Sequence, residues 1–191
     1  KKYIETMSNK QKQFKSALED MKKILDKNNI KFHLHSGTAL GAIREKKFIE
    51  YDLDIDLGVL ESEVDIKKIP KLVEEKFILG IKFPKNEDKN DVTEYAFHHR
   101  KTNVKIDIFL VQEKNNKYYT NSYTGYCDKK PNKTCVYSNS KYKLNNINFL
   151  GKLYKVPEIK FLEEQYGKDW RTPKNFGYSE GVLKGYYKNL L

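Results

Sequence analysis

Apolar residues recur at three-to-four spacing through residues 8–28, where Phe14, Ala17, Leu18, Met21, Ile24 and Leu25 would share one face of a helix. Ser8 is placed to cap its start and Asn28-Asn29 to end it. The period then shortens: Ile30, Phe32 and Leu34 alternate with Lys31, His33 and His35, which predicts a half-buried strand. Ser36-Gly37-Thr38 breaks that strand, and a short helix is expected over residues 39–44. A strand is predicted over 51–59, with Leu53, Ile55 and Leu57 facing the core. Residues 61–77 read as helix in two pieces, because Pro70 is tolerated only near a helix start or at a break. Strand periodicity returns over 92–99 and 105–112. Residues 118–149, rich in Tyr, Asn, Ser and Lys, read as a long ligand-shaping loop with hairpin pieces. A helix follows over 158–166, after Val156-Pro157, while 177–191 offers no chemistry to name. No linker or internal repeat divides the series, which predicts one mixed α/β domain over 1–191.

Composition narrows the class. Hydrophobic residues make up only 38%, but 14 Tyr, 10 Phe and one Trp argue for a folded chain over a disordered one. No run of about 18 apolar residues occurs. A coiled coil, a repeat array and a disulfide miniprotein are excluded. The opening Lys1-Lys2-Tyr3-Ile4 has neither an initiator Met nor an apolar signal core and reads as cut from a longer chain, so targeting information is expected to lie outside it. The net charge is +11, yet Arg occurs only at Arg44, Arg100 and Arg171. Nucleic-acid readers use Arg for bidentate and stacking contacts that Lys does not reproduce, so no nucleic-acid partner is expected. The scattered Lys reads as solvated surface, with attraction to phosphate-bearing ligands or an anionic surface as the functional alternative. Cys127 and Cys135 are not spaced as a zinc knuckle; a disulfide and two free thiols both remain open. Asn132-Lys133-Thr134 is a glycosylation sequon by pattern.

The chemistry concentrates in Tyr51-Asp52-Leu53-Asp54-Ile55-Asp56-Leu57-Gly58. On a strand, Asp52, Asp54 and Asp56 project to one side, with neighbouring Cα atoms roughly 6–7 Å apart. Carboxylates so arranged repel one another unless a cation sits among them. In Lys105-Ile106-Asp107-Ile108-Phe109-Leu110 a second strand carries Asp107 opposite an apolar face, and a lone buried acid is costly without a partner. If the two strands are neighbours, Asp107 completes a carboxylate cluster for Mg²⁺ or Mn²⁺, the ions that all-oxygen ligands favour over zinc. The alternative is that these acids only solvate an edge strand. Ahead of them, Gly37 in Ser36-Gly37-Thr38 permits close approach of backbone to a ligand, and the following helix offers free N–H groups to phosphate oxygens.

Four ordered blocks resemble the LicD/fukutin family of phosphotransferases. They are His35-Ser36-Gly37-Thr38-Ala39-Leu40-Gly41-Ala42-Ile43-Arg44, then Phe48-Ile49-Glu50 running into the acidic strand, then Lys105-Ile106-Asp107-Ile108-Phe109, and finally Val156-Pro157 with Tyr166-Gly167-Lys168-Asp169-Trp170-Arg171-Thr172-Pro173. The resemblance covers about residues 10–175 and implies a nucleotidyltransferase-like mixed sheet flanked by helices, an α/β (α+β) fold. Bacterial members usually read Trp-Asp-Asp-Asp-Ile-Asp; here Tyr51 replaces the Trp and Leu53 the middle Asp, a form closer to the fukutin-related proteins. Their cysteine-ligated zinc loop and stem domain are not seen, so zinc is not carried over.

The resemblance implies transfer of a phosphorylated alcohol, such as phosphocholine or ribitol phosphate, from a CDP-linked donor to a glycan or related acceptor, with release of CMP. It places the metal on Asp54, Asp56 and Asp107, with Asp52 supporting the site or contributing a ligand. Ser36, Gly37 and Thr38 would contact donor phosphates, and Arg44 with one or more Lys would neutralise the diphosphate, unless Arg44 pairs locally. His98, His99 and Arg100 are further candidates for phosphate; adjacent His on a strand point to opposite faces, so at most one, His99, would face the site. Asp107 or Asp52 would be the general base. Tyr166 and Trp170 read as core, or as a platform for the cytosine or acceptor sugar. A membrane-proximal acceptor suits the charge, and the compartment would be luminal for a fukutin-like protein and cytoplasmic for a LicD-like one. Transfer of NMP from an NTP, and a non-enzymatic basic binding module, are the competing expectations.

Overall fold

The computed structural model describes residues 7–83, 91–123 and 134–191. Helix α1, Asn9–Lys27, begins where the spacing predicts, with the Ser8 hydroxyl accepting the Gln11 N–H at 3.2 Å. Its apolar stripe is buried from Phe14 to Leu25. Gln11 is buried too and serves as a clip: its side-chain amide donates to the Phe48 carbonyl at 2.8 Å and accepts the Phe48 N–H at 3.1 Å. That pins α1 to the segment leading into the acidic strand.

Strand β1 is only His33–Leu34, and helix α2, Ser36–Arg44, starts three residues before its predicted position. Strand β2, Asp54–Leu60, is followed by a short 3-10 turn, Ile66–Lys68, and by α3, Ile69–Val73, with Pro70 in its first turn. Then come β3 (Phe77–Phe83), β4 (Glu94–His99), β5 (Lys105–Lys114), β6 (Lys117–Tyr123), β7 (Thr134–Ser140), β8 (Leu144–Phe149) and β9 (Lys152–Pro157). Helices α4, Ile159–Tyr166, and α5, Tyr178–Leu183, complete the series. The sheet runs β1-β2-β5-β4-β3, with β6 on the far end of β5 and β7 on β6; β8 and β9 form a separate hairpin. The mixed α/β fold is as expected, with β2 and β5 parallel and the other pairs antiparallel.

Several boundaries differ from the sequence reading, each for a physical reason. The described part of residues 118–149 is more regular than a loop with hairpin pieces: it carries the antiparallel pair β6 and β7, and β8. Their backbones are satisfied by ladder pairing, such as Gln112↔Tyr119 and Thr120↔Tyr137, which needs no apolar alternation. The second predicted helix ends early, at Val73, and after a turn strand β3 begins at Phe77, where no strand was predicted. β3 is an edge strand, so Ile78, Leu79 and Ile81 stay exposed and the alternation that would announce it is missing. Leu53, expected in the core, is 84% exposed, because β2 begins one residue later and the preceding turn faces water. Cys135 is buried and disulfide-bonded; Cys127 and Asn132-Lys133 of the sequon lie outside the described residues. Among the described residues no helix is long and apolar enough to cross a membrane.

The core follows from strand parity. Ile55, Leu57 and Val59 of β2, Ile106, Ile108 and Leu110 of β5, and Tyr95 and Phe97 of β4 face α1 and α3 in one buried cluster. The intervening residues point to the other side of the sheet. There Leu40, Val111, Phe161, Leu162 and Trp170 make a smaller cluster beneath α2 and α4, and the rest of that face opens into a cleft.

Candidate active site

Parallel pairing of β2 with β5 sets Asp54 opposite Lys105 and Asp56 opposite Asp107. Neighbouring strands are about 4.8 Å apart, so the four charged side chains form two adjacent cross-strand pairs on one face. Asp54, Asp56 and Asp107 each bring one carboxylate oxygen within 4.8 Å of the others. The Lys105 ammonium donates to Asp54 Oδ2 at 3.1 Å and to Asp107 Oδ2 at 2.7 Å. Asp56 is held otherwise: its Oδ2 accepts the Gly37 N–H at 3.2 Å, and its backbone N–H donates to Thr38 Oγ1 at 2.9 Å. Asp52 reaches the same cleft from the turn before β2 rather than from the strand itself. Gly37 makes room for it, since a Cβ there would stand 2.7 Å from Asp52 Oδ2.

Taking carboxylates out of water and stacking them disfavours their charged forms. Burial, with the Asp54 charge next, pushes Asp52 up to about 7. Asp107 is also pushed up to about 7, by burial first; Lys105 opposes this and Asp54 adds to it. Asp56 is raised well above the usual carboxylate range by burial and then by Asp54 and Asp107. Burial works against the Lys105 ammonium as well, but Asp107 and Asp54 outweigh it and hold its pKa above the ordinary lysine value. The patch is short of positive charge. Its donor set is all oxygen, suited to a hard divalent ion, and Asp107 Oδ1 is buried with no hydrogen-bond partner. The residues therefore fit Mg²⁺ or Mn²⁺, with Asp54, Asp56 and Asp107 as the group able to hold it.

The cleft above the patch has a volume of about 460 Å³. Ser36 lines it from the first turn of α2, at φ 39°, a left-handed conformation uncommon outside glycine, and accepts a hydrogen bond from the Gln165 amide at 3.3 Å. Beside it, His35 is buried against Phe109 and Phe161, and burial lowers its pKa to about 3, so the ring is neutral.

Two expected site residues, Thr38 and His99, do not line the cleft. Thr38 is buried and spends its hydroxyl on the β2 backbone, so it is not offered to a ligand phosphate. Gly37 lines the cleft, and its N–H is taken by Asp56. His99 lies on the opposite face of the sheet at 1% exposure, its ring nitrogens bonded to Asp20 at 3.1 Å and Thr102 at 2.8 Å. Parity decides this: β4 sends Glu94 and Ala96 to the cleft and Tyr95, Phe97 and His99 to the core. Arg44 does line the cleft, but its guanidinium pairs with Glu45 at 2.5 Å and donates to the Trp170 carbonyl at 3.1 Å, the local pairing foreseen as its alternative.

Other cleft residues escaped the sequence reading. Lys105 shares a face with Asp107 by simple strand parity, a signal that was present. Glu94, a buried acid, carries no such signal. Tyr178, Tyr186 and Tyr187, from the segment that named no chemistry, wall the cleft together with Tyr166 and Tyr137. Tyr166 and Trp170 belong both to the packed cluster and to this wall.

Comparison with known proteins agrees with this architecture. A profile described as LicD/FKTN/FKRP, nucleotidyltransferase domain, matches residues 29–158. The chain is 30% identical over 164 residues to ribitol-5-phosphate transferase FKTN of Macaca fascicularis, covering 85% of this chain and 34% of that protein. To the Homo sapiens protein of the same name it is 29% identical over the same coverage. The uncharacterized protein RP689 of Rickettsia prowazekii is 33% identical over 108 residues, covering 54% of this chain and 35% of that protein. The chain thus spans about a third of the length of the curated relatives it matches. Among solved structures, the lincosamide antibiotic adenylyltransferase LnuA, lincomycin-bound, is similar in fold at a TM-score of 0.51 and 9% identity, covering 90% of this chain and 94% of that one. Sheet and helices are those of a nucleotidyltransferase-like fold, and the chain belongs to the LicD/FKTN/FKRP family.

Proposed function

We propose that this domain is a phosphotransferase that moves a phospho-alcohol from a CDP-linked donor to a glycan hydroxyl, releasing CMP. One observation carries the reading: Asp54, Asp56 and Asp107 converge at the floor of a cleft large enough for a nucleotide, in a chain whose relatives include proteins named ribitol-5-phosphate transferase. Asp54, Asp56 and Asp107 would hold Mg²⁺ or Mn²⁺, which when bound offsets negative charge on the diphosphate. Asp52 takes the proton of the acceptor hydroxyl. It lines the same cleft, and no described ion pair or hydrogen bond ties its carboxylate. Asp107 suits that role less well, being buried and bonded to Lys105. The acceptor oxygen forms a bond to the distal phosphorus, the bond from that phosphorus to the CMP oxygen breaks, and CMP leaves. The tyrosine wall supplies a surface for stacking a base or sugar ring.

The test is a thermal-shift panel with and without Mn²⁺, comparing CMP, CDP-choline, CDP-glycerol, CDP-ribitol, CTP, ATP and UDP-sugars, followed by product analysis. Metal-dependent shifts confined to CDP compounds, with CMP as product, are expected. Shifts with CTP or ATP and pyrophosphate as product would replace the reading with NMP transfer. No shift with any of them would leave a non-enzymatic module.

A further inference from the structure

Three cationic side chains line the cleft among the described residues: Arg44, Lys105 and Lys174. Arg44 is engaged by Glu45 and the Trp170 carbonyl, and Lys174 by Asp169 at 2.7 Å. Neither partner belongs to the carboxylate patch. Lys105 differs, because both of its partners are carboxylates that a divalent ion would claim. Its ammonium thus stands between Asp54 and Asp107 as a monovalent counter-ion built into the chain.

We propose that Lys105 is an exchangeable counter-ion: it neutralises Asp54 and Asp107 while the patch holds no divalent ion, is displaced when one binds, and then pairs with a phosphate of the bound ligand. This rests on the metal-dependent reading above. An ion entering among the three acids brings two positive charges to within a few ångströms of the ammonium, so the two cations repel at short range. The lysine stem leaves β5 at a half-exposed position and is long enough to swing its charge into the cleft. The phosphates would arrive in that same cleft, where the other two cations are already engaged. Lys105 acts as a positioning residue for the ion and as a ligand-binding residue for the phosphate.

The test uses Lys105→Met, similar in length and uncharged, beside the wild-type chain, with Mn²⁺ and then CDP as probes by titration calorimetry. The variant is expected to bind Mn²⁺ at least about tenfold more tightly, since a like charge has been removed from the site. At saturating Mn²⁺ it is expected to bind CDP roughly tenfold more weakly, the loss of one charge-assisted phosphate contact. A merely structural role would weaken both. Unchanged or weaker Mn²⁺ binding in a variant whose parent does bind Mn²⁺ overturns the counter-ion role and leaves the metal-dependent reading intact. Unchanged CDP binding overturns the phosphate contact. If neither protein binds Mn²⁺, the metal-dependent reading falls and this inference with it. If only the variant binds, Lys105 excludes the ion instead of yielding to it, and the exchangeable role is overturned. Should the variant fail to fold, acylation of the wild-type chain by an amine-reactive reagent, read by mass spectrometry, keeps the question open to decision: Mg²⁺ must raise modification at Lys105, and no change overturns the displacement.

Discussion

The two faces of the central sheet are made by the same strands, one residue out of phase, and they are finished to different degrees. On the face toward α1 and α3, Ile55, Leu57, Phe97, Ile106 and Ile108 are fully buried, and every contact they need comes from this chain. On the face toward the cleft, Asp54, Asp56 and Asp107 crowd three carboxylates around one lysine, and burial pushes Asp56 and Asp107 above the usual carboxylate range. The difference teaches where stability ends and function begins. The apolar face rigidly fixes the spacing of the acids; the acidic face is left with a charge deficit that a ligand can relieve.

The largest effect should come from the finished face. Phe97→Ala removes a fully buried ring and should cost about 3–5 kcal/mol by chemical denaturation, with Mn²⁺ affinity unchanged in whatever fraction stays folded. A cost under about 1 kcal/mol would mean that this face is not the scaffold. Asp56→Asn attacks the other face. It should weaken Mn²⁺-dependent nucleotide binding by roughly 100-fold or more while leaving the metal-free melting temperature equal or higher, because a buried like charge disappears and the amide oxygen still accepts the Gly37 N–H. Retained binding in that variant would count heavily against the site.

Gly37→Ala probes the seam between the faces. Its Cβ would stand 2.7 Å from Asp52 Oδ2, so Asp52 must move, and turnover should fall by about tenfold with Mn²⁺ affinity nearly preserved. Equal losses in both would place Asp52 among the ion's ligands instead.

The smallest effect is in pH dependence, where buried groups near the cleft pull in opposite directions. Asp52 and Asp107 have folded pKa values near 7, above the ordinary 3.8. Their contribution is complete below the ordinary carboxylate value and is lost as pH rises through about 7. His35, near 3 against an ordinary 6.5, contributes above 6.5 and loses that contribution as pH falls. Metal-free stability should therefore decline between pH 6.5 and about 8, where the His35 contribution is complete and that of the acids is still being lost, and Mg²⁺ should flatten the decline. Melting curves across that interval with and without Mg²⁺ decide it, and a flat metal-free profile would show that the acids are not strained.

The sequence carried much of this by itself. Period-3.6 spacing placed α1 with its Ser8 cap, and period-2 spacing separated Asp54, Asp56 and Asp107 from the apolar residues between them, because strand parity is a local property of the backbone. It did not carry the positions whose roles depend on a neighbour distant in sequence. That β2 lies parallel to β5, so that Asp56 faces Asp107 and Lys105 falls between two acids, is a fact of sheet order. Gly37 and Thr38 look like phosphate ligands locally, yet Asp56 and its backbone claim them first. His99 and His98 are indistinguishable in sequence until α1 packs Asp20 against one of them. Tyr178, Tyr186 and Tyr187 become walls of the cleft only because α5 folds back over it. Local periodicity fixes which side of an element a residue occupies; only packing decides what that side meets.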